Sequence, residues 1–345
     1  MLLADAVSPP VTLHQLLTGW QTDPLSFVAL TIELGLAAWY LVAVRRLAAR
    51  GRRWSPWRTV SFMGATSTVV VAVQSGLASY DDSVFTMHVV QHILLMNVAP
   101  ILYALSAPVT LALQSSGRPV QRGILRFLHF GAVEALTYPV FVVVFGAVTM
   151  LAYFLTPYYA LSLRHPLLHD FSHLHFLVVG CLFWWLVIGL DPSRWHLSYP
   201  AKVGFLAVGI PVGVMLGLSL TGAHGSIDPG VHTLADTHAG GSVLWVVNEL
   251  FTLTALAIVG LQWMRYEERS AARADRRSRP PAGTAAEGGG PSPRPRIPRP
   301  SGAALSMVPT IEPGAPDAPG RPGVPGRSGG RGRRGMPGSA PVTAD

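Results

Sequence analysis

The chain has 345 residues, of which half are hydrophobic and only 13% are charged, a balance typical of an integral membrane protein. Its net charge of +8 would also suit a nucleic-acid-binding protein. The location of the charge argues against that class, because residues 1–264 hold 12 basic and 11 acidic side chains, whereas residues 265–345 hold 14 Arg and 7 acids. We therefore expect no nucleic-acid partner, and the single cysteine, Cys181, excludes an intramolecular disulfide.

Seven stretches of the chain are apolar enough, over a sufficient length, to cross the hydrocarbon core of a bilayer. The predicted fold is all-α, a polytopic membrane bundle of seven transmembrane helices, so the lipid bilayer is the first expected partner. The stretches cover residues 26–44, 57–78, 84–105, 133–155, 171–190, 203–220 and 243–264.

Positive charge is distributed unevenly between the connecting loops. Six Arg and no acid lie between the start of the first loop and Arg58, which by the positive-inside rule places this loop in the cytoplasm. Alternation of the seven spans then puts 25 of the 26 Lys and Arg inside, and ten of the twelve His outside. The pattern predicts a multi-pass protein of the cell membrane with its N-terminus outside and its C-terminus in the cytoplasm. Residues 1–25 would form an extracytoplasmic segment and residues 26–264 the transmembrane domain.

The C-terminal region, residues 265–345, is rich in Arg, Pro and Gly and poor in aliphatic residues. Such a composition buries too little apolar surface to offset the entropy of ordering, so we predict a disordered cytoplasmic tail. Its first part, Arg265–Arg279, either continues the last helix towards anionic headgroups or is a solvated flank.

The third stretch carries two histidines with helical spacing. His88 and His92 are four residues apart and so share one helix face, and Met96 lies a further turn along it. Two imidazoles and a thioether would suit a soft or borderline metal ion such as copper.

The fifth stretch carries a second set near its outer end. Pro166 is well placed to begin a helix, which would align His169 with His173 and point His175 away from them. Both His pairs would lie in the first turns of helices that start on the outer side. Together they could supply a three- or four-coordinate site for copper or zinc, although a hydrogen bond between an interfacial His and a neighbouring helix is the alternative for each pair.

The last outer loop and the final span contain further polar candidates. His238 is a candidate ligand, and Asp236 either caps the last helix or orients a liganding imidazole. Gly240 and Gly241 would allow close backbone approach. Glu249, about two turns below the outer edge, could support the metal site, whereas for the other intramembrane carboxylate, Glu33, we expect structural pairing.

Three blocks of the sequence resemble one known family. The segment MHVVQHILLMNVAPILYALSAPVTLAL, residues 87–113, resembles the signature stretch of the CtaG-type cytochrome c oxidase assembly factors. The histidines from His165 onward, followed by GCLFWWLVIGLDP, and the segment DTHAGGSVLWVVNEL resemble two further blocks of that family in the same order. The resemblance covers roughly residues 26–265.

The resemblance implies an integral membrane protein, not an enzyme, that helps to assemble the haem-copper oxidase. Its expected partners are the catalytic subunit of cytochrome c oxidase and other copper chaperones, and its expected cargo is copper as Cu(I), with zinc as the lesser alternative. One departure concerns the sixth span, where the family often has a His shortly after its Pro. Here Pro211 is followed by no His, so that either Met215 substitutes or the site has fewer ligands.

Three other functions fit parts of the pattern. A seven-span zinc hydrolase acting on lipid would use the His as ligands and Asp236 or Glu249 to activate water. A b-type cytochrome would need His at two depths on facing helices, whereas these pairs share one depth. A scaffold that braces oxidase subunits without metal would share the pathway but not the chemistry.

Overall fold

The computed structural model describes residues 11–278, and this part of the chain is helical without any β-strand. A π-helical turn, Leu94–Val98, lies between the fourth and fifth helices. The helices are α1 Leu13–Thr18, α2 Pro24–Ala49, α3 Pro56–Gln74, α4 Phe85–Ile93, α5 Ala99–Ser106, α6 Pro108–Ser115, α7 Arg118–Leu128, α8 Gly131–Leu136, α9 Pro139–Leu155, α10 Tyr158–Arg164, α11 Pro166–Ile188, α12 Tyr199–Thr221 and α13 Leu234–Ser278.

Proline and capping residues determine where the long helices begin. Asp23 accepts hydrogen bonds from the backbone N–H groups of Leu25 and Ser26, and Pro24 is the first residue of α2. The prediction that Pro166 begins a helix is confirmed, since α11 starts there. This helix ends at Gly189, whose φ of 66° is a left-handed conformation that glycine adopts at low cost.

Several helices are suited to a membrane. Within residues 11–278, five are long and apolar enough to cross it, and a bent pair, Pro139–Leu155 with Tyr158–Arg164 at 73°, is a sixth candidate. The five candidates correspond to the predicted first, third, fifth, sixth and seventh stretches, except that residue 84 and residues 189–190 fall outside the helices. The chain is thus all-helical with several membrane-compatible helices, and the count of seven spans stays a prediction that requires α3 and α9 to cross as well.

Two predicted boundaries were wrong. The second stretch was extended to residue 78, but α3 ends at Gln74 and residues 75–83 form a series of turns. The fourth was taken as continuous from residue 133, but the helix breaks at Thr137 and Tyr138. The break has a local cause, because Pro139 disfavours helical backbone at the residue before it.

The last helix is longer than the predicted span. It continues through residues 265–278, in the first part of the tail, for which the sequence left open either a continuation of this helix or a solvated flank. These residues are mostly Arg, Glu and Ala, which are good helix formers, and Pro280 and Pro281 follow shortly afterwards. The expectation of disorder for the rest of the tail falls on residues 279–345, outside the described residues.

The third predicted stretch is one long apolar segment, Phe85–Ser115, with two irregularities. The π-helical turn interrupts it after Ile93, and Ala107, fully buried with a φ of 49°, separates α5 from α6. Asp191 satisfies the free N–H groups at the new helix start, accepting hydrogen bonds from Val109 at 3.1 Å and Thr110 at 2.7 Å.

The helices that carry the two His pairs touch at backbone distance. A Cβ at Gly180 of α11 would lie 2.5 Å from the carbonyl oxygen and 2.9 Å from the Cα of Met96 in the π-helical turn. Only glycine permits such an approach. Gly180 therefore sets the separation between α11 and the segment that begins with α4.

Candidate metal centre

The first His pair lies on α4 and is completely buried. The rings of His88 and His92 have their centroids 4.3 Å apart, and neither residue has any exposed surface. Their spacing of four residues places both rings on one face of the helix. This face is directed towards α11.

The second pair, His169 and His173, lies on α11 with ring centroids 4.4 Å apart. The ring of His169 stacks on that of His88 at 5.3 Å, and the ring of His173 meets that of His92 edge-on at 5.6 Å. All four residues are buried. The structure thus brings the two sequence-predicted pairs into one layer of imidazoles.

A carboxylate that sequence reasoning missed completes the arrangement. Asp81, in the turns that precede α4, offers an oxygen to a group formed with His88, His169 and His173, in which the four ligand atoms all lie within 4.8 Å of one another. The acidic pair Asp81-Asp82 immediately before the third stretch was the available signal in the sequence. This pair lies at the predicted outer end of that stretch, but the sequence does not show in which direction either side chain points.

The ring nitrogens show whether the group suits a metal. Within the described residues, His88 Nδ1, both ring nitrogens of His92, His169 Nε2 and His173 Nε2 are buried without a hydrogen-bond partner. Buried polar atoms are normally satisfied, because each one left unpaired costs about 1–3 kcal/mol. Five such nitrogens in one layer fit coordination of a cation better than they fit hydrogen bonding between helices, the alternative raised by the sequence.

The electrostatic environment of Asp81 supports the same interpretation. Burial raises the pKa of the Asp81 carboxyl well above its usual value, and the nearby charge of Asp82 adds to this effect. A cation beside the carboxylate would oppose both contributions. The buried acid is therefore in a place where a bound positive charge would be stabilising.

A family model for the cytochrome c oxidase caa3 assembly factor (Caa3_CtaG) matches residues 38–266 of this chain, a region that contains Asp81 and all four histidines. The chain belongs to the Caa3_CtaG family. The membership confirms the resemblance drawn from the sequence.

The Caa3_CtaG chain is also similar to longer mycobacterial proteins. Uncharacterized proteins of Mycobacterium bovis and Mycobacterium tuberculosis are each 31% identical to it over 295 residues, and one of Mycobacterium leprae is 30% identical. The alignments cover 80% of this chain but 44% of each relative, so the chain spans less than half the length of these proteins. No solved structure matches it.

In this Caa3_CtaG member a tyrosine orients one of the imidazoles. The Tyr153 hydroxyl, on α9, lies 3.2 Å from His88 Nε2 and 3.1 Å from the Ser162 hydroxyl. With Nε2 engaged in this way, Nδ1 is the His88 nitrogen left free. Sequence reasoning missed Tyr153, because its contact with His88 depends on how α9 packs in the bundle.

Asp236 caps a helix, one of the two roles that the sequence suggested, but the helix is not its own. Its carboxylate accepts hydrogen bonds from the backbone N–H groups of Phe85 and Thr86 at 2.6 Å and 3.1 Å, and from the Thr86 hydroxyl at 2.7 Å. It therefore caps α4, the helix that bears His88 and His92, rather than its own helix. It acts on the site through the position of that helix.

A buried histidine of the last loop extends this contact. His232 Nδ1 lies 3.8 Å from the Asp236 carboxylate, and its Nε2 is hydrogen-bonded to the Tyr159 hydroxyl at 2.9 Å. Burial lowers the pKa of His232 below its ordinary value, the carboxylates of Asp236 and Asp228 opposing that shift. The His232 imidazole thus packs the last loop against α4 and α10.

The remaining sequence candidates have other partners in the structure. His238 Nε2 is hydrogen-bonded to the carbonyl oxygen of Ala223, and the half-buried ring of His175 packs against Phe145. Met96 lies in the π-helical turn, where the four-residue spacing that links His88 to His92 is not maintained. It lines an apolar cavity with Asn97, Met150 and other residues of α9, α11, α12 and α13.

Three further expectations, two of them about the last helix, are compared here with the structure. Gly240 and Gly241 do allow close approach, since a Cβ there would lie 2.4 Å from the Phe85 ring and 2.6 Å from Leu220 respectively. Glu249 is buried against Gly213 of α12 with neither carboxylate oxygen hydrogen-bonded among the described residues. The other intramembrane carboxylate, Glu33, is paired as expected, accepting a hydrogen bond from the Tyr103 hydroxyl at 3.0 Å.

Proposed function

We propose that this Caa3_CtaG member binds copper in its buried histidine layer and passes it to the catalytic subunit of cytochrome c oxidase during assembly. Membership of the family supports the pathway named in this proposal, the assembly of cytochrome c oxidase. The observation that supports the copper step is the set of unpartnered ring nitrogens on His88, His92, His169 and His173, beside the Asp81 carboxylate. Imidazole suits copper and zinc alike, so the donor set is compatible with the proposed cargo.

The location of the layer suits delivery rather than storage. His88 and His169 lie in the first two turns of α4 and α11, at the end of the bundle formed by the turns 75–83 and the loop 222–233. We place this end outside the cell membrane, in a seven-span arrangement with the C-terminus in the cytoplasm, because the positive charge of the connecting loops then lies inside. A site near that surface can exchange its ion with a chaperone or with the oxidase.

The first experiment is metal analysis of detergent-purified protein under reducing conditions after exposure to Cu(I). The wild type is expected to retain copper, and the double variant His88→Ala/His92→Ala is expected to lose it. His175→Ala is the matched control, because His175 is on the same helix as His169 and His173 but packs against Phe145. Equal copper in the wild type and the double variant would overturn the copper proposal and favour a scaffold without metal.

A cellular experiment tests the pathway. Cells with His88→Ala or His92→Ala are expected to assemble an oxidase deficient in copper, with His175→Ala cells normal. A fully active, copper-replete oxidase in the variant cells would show that the metal role is wrong even if the purified protein binds copper.

One observation favours a second candidate, the membrane zinc hydrolase. Three imidazoles, from His88, His169 and His173, together with a carboxylate, resemble the ligand sets that hold catalytic zinc. Asp81 would replace Asp236 as the acid beside the metal, since Asp236 is engaged with α4. Tight stoichiometric zinc, with lipid hydrolysis that is lost in Asp81→Ala, would establish this function in place of copper delivery.

A further inference from the structure

His169 lies between two carboxylates of very different exposure. Its Nε2 is 3.8 Å from Asp81, whose side chain is 6% exposed, and its Nδ1 is 3.4 Å from Asp82, whose side chain is 66% exposed. The imidazole itself is 10% exposed. One ring nitrogen therefore faces the buried group, and the other faces a carboxylate in contact with solvent.

We infer that Asp82 and His169 Nδ1 form a loading position, through which a copper ion reaches and leaves the buried Asp81–His88–His169–His173 group. The inference rests on the proposed copper function and adds a route to it. His88 and His92 have no exposed surface, so an ion has to pass residues at the edge of the layer before it reaches them.

The separation of the two atoms suits a shared ion. Two metal–ligand bonds of about 2.1 Å to atoms 3.4 Å apart enclose an angle of roughly 108°, close to tetrahedral. The loading position would thus hold an ion by one oxygen and one nitrogen, weakly enough for release. Movement of the ion from Nδ1 to Nε2 of His169 then exchanges Asp82 for Asp81, and the ring proton moves the other way, from Nε2 to Nδ1, where the Asp82 carboxylate accepts its hydrogen bond.

The contrast between the two adjacent acids supports this division of roles. Asp81 belongs to the four-residue group whose ligand atoms lie within 4.8 Å of one another, whereas Asp82 does not. Because Nε2 of His169 has no hydrogen-bond partner, this imidazole has a ring nitrogen free to bind an ion in the buried group. An exposed carboxylate attracts a cation without the desolvation that the buried one imposes.

A neighbouring cavity offers a competing route that the experiment has to distinguish. It is about 1140 Å³ in volume, lies between α2, α3 and α11, and is lined by Ser26, Glu33, Asp170, His173 and apolar residues. An ion that used this cavity would pass Asp170 and His173 rather than Asp82 and His169. Asp170→Asn is therefore both a charge-matched control and a test of the other route.

The experiment measures copper exchange with the detergent-purified full-length protein under reducing conditions. A chromophoric Cu(I) chelator reports both the copper held at equilibrium and the rate of its transfer. We expect Asp82→Asn to hold as much copper as the wild type but to load and release it at least tenfold more slowly. Asp82→Glu, which keeps the charge, should exchange faster than Asp82→Asn, and Asp81→Asn should hold less copper at equilibrium.

The outcomes separate this inference from the proposed function. A wild type that holds no copper overturns both. A wild type that holds copper while Asp82→Asn exchanges it at the wild-type rate overturns the loading position alone. Slow exchange in Asp170→Asn with normal exchange in Asp82→Asn assigns the route to the cavity. Equal slowing in both variants shows that the two carboxylates only attract the copper ion by their negative charge. Each of these results also overturns the inference. If Asp82→Asn does not elute as a folded protein, Asp82→Ser replaces it.

Discussion

The carboxylate of Asp236 accepts a hydrogen bond of 2.6 Å from the backbone N–H of Phe85, although 151 positions separate the two residues along the chain. Through this bond the start of α13 holds the start of α4. The first turns of α4 carry His88 and His92, so the position of the loop 222–233 and the position of the histidine layer are coupled.

Replacing Asp236 tests whether it acts by capping. Asp236→Ala removes three hydrogen bonds to Phe85 and Thr86 and should destabilise the protein by about 1 kcal/mol or more. Asp236→Asn keeps one acceptor oxygen but turns the other into an NH2 donor that cannot accept a backbone N–H, so it should recover only part of that loss. Thermal unfolding midpoints in detergent measure both effects. If Asp236→Ala unfolds at the wild-type midpoint, the capping explanation is wrong.

Tyr153 is expected to orient His88 for metal binding. Tyr153→Phe removes the hydroxyl that lies 3.2 Å from His88 Nε2, and loss of such an outer partner typically lowers metal affinity by about 10- to 100-fold. A copper titration of the purified variant measures the effect. Tyr138→Phe is the control, because Tyr138 packs against Trp195, away from the histidine layer. Unchanged affinity in Tyr153→Phe would show that His88 needs no such support.

The contact at Gly180 should control the fit between the two His-bearing helices. Gly180→Ala places a methyl group 2.5 Å from the backbone of Met96, and overpacking of this kind costs about 1–3 kcal/mol. We expect a lower unfolding midpoint and less bound copper. Gly260→Ala is the matched control, since a Cβ there meets nothing within 4 Å. Two variants of equal stability would contradict the close helix contact.

Acid should weaken the packing of the last loop through His232. Burial lowers the pKa of this imidazole from its ordinary value of 6.5, so between the folded and unfolded pKa values the unfolded chain binds more protons. The contribution of this imidazole to the free energy of unfolding is fully present above about pH 6.5 and falls as the pH decreases below that value. The unfolding midpoint of His232→Asn should accordingly depend less on pH than that of the wild type between pH 7 and 5.

The control for the acid effect is His224→Asn, in the same loop but exposed. It should show the wild-type pH dependence. If His232→Asn also shows the wild-type pH dependence, the acid sensitivity of the protein has another source.

Regular periodicity explains why much of the candidate site could be anticipated. The spacing of His88 with His92 and of His169 with His173 sets each pair on one helix face, and Pro166 sets the start of α11. The two pairs lie at equal distances from the starts of their helices, so they are predicted to lie at similar depth in the membrane. These are local properties, so the residues alone were sufficient to group the four histidines.

Irregular backbone explains what the sequence left out. Asp81 and Asp82 are adjacent in a series of turns, and only their side-chain directions distinguish the buried acid from the exposed one. The π-helical turn ends the four-residue spacing before Met96, and no residue from Leu94 to Val98 indicates such a turn in the sequence. The capping role suggested for Asp236 was assigned to its own helix, because the sequence places it there, whereas the backbone N–H that it binds is 151 positions away.

The sequence by itself determined the helical class, the apolar stretches, the family and the two His pairs, because hydrophobic length and helical period act over a few residues at a time. Tertiary structure alone decided that Asp81 joins the histidines, that Tyr153 orients His88, and that Asp236 anchors α4. Those contacts depend on the packing of helices far apart in the chain, and at Gly180 that packing is set by the absence of a single methyl group.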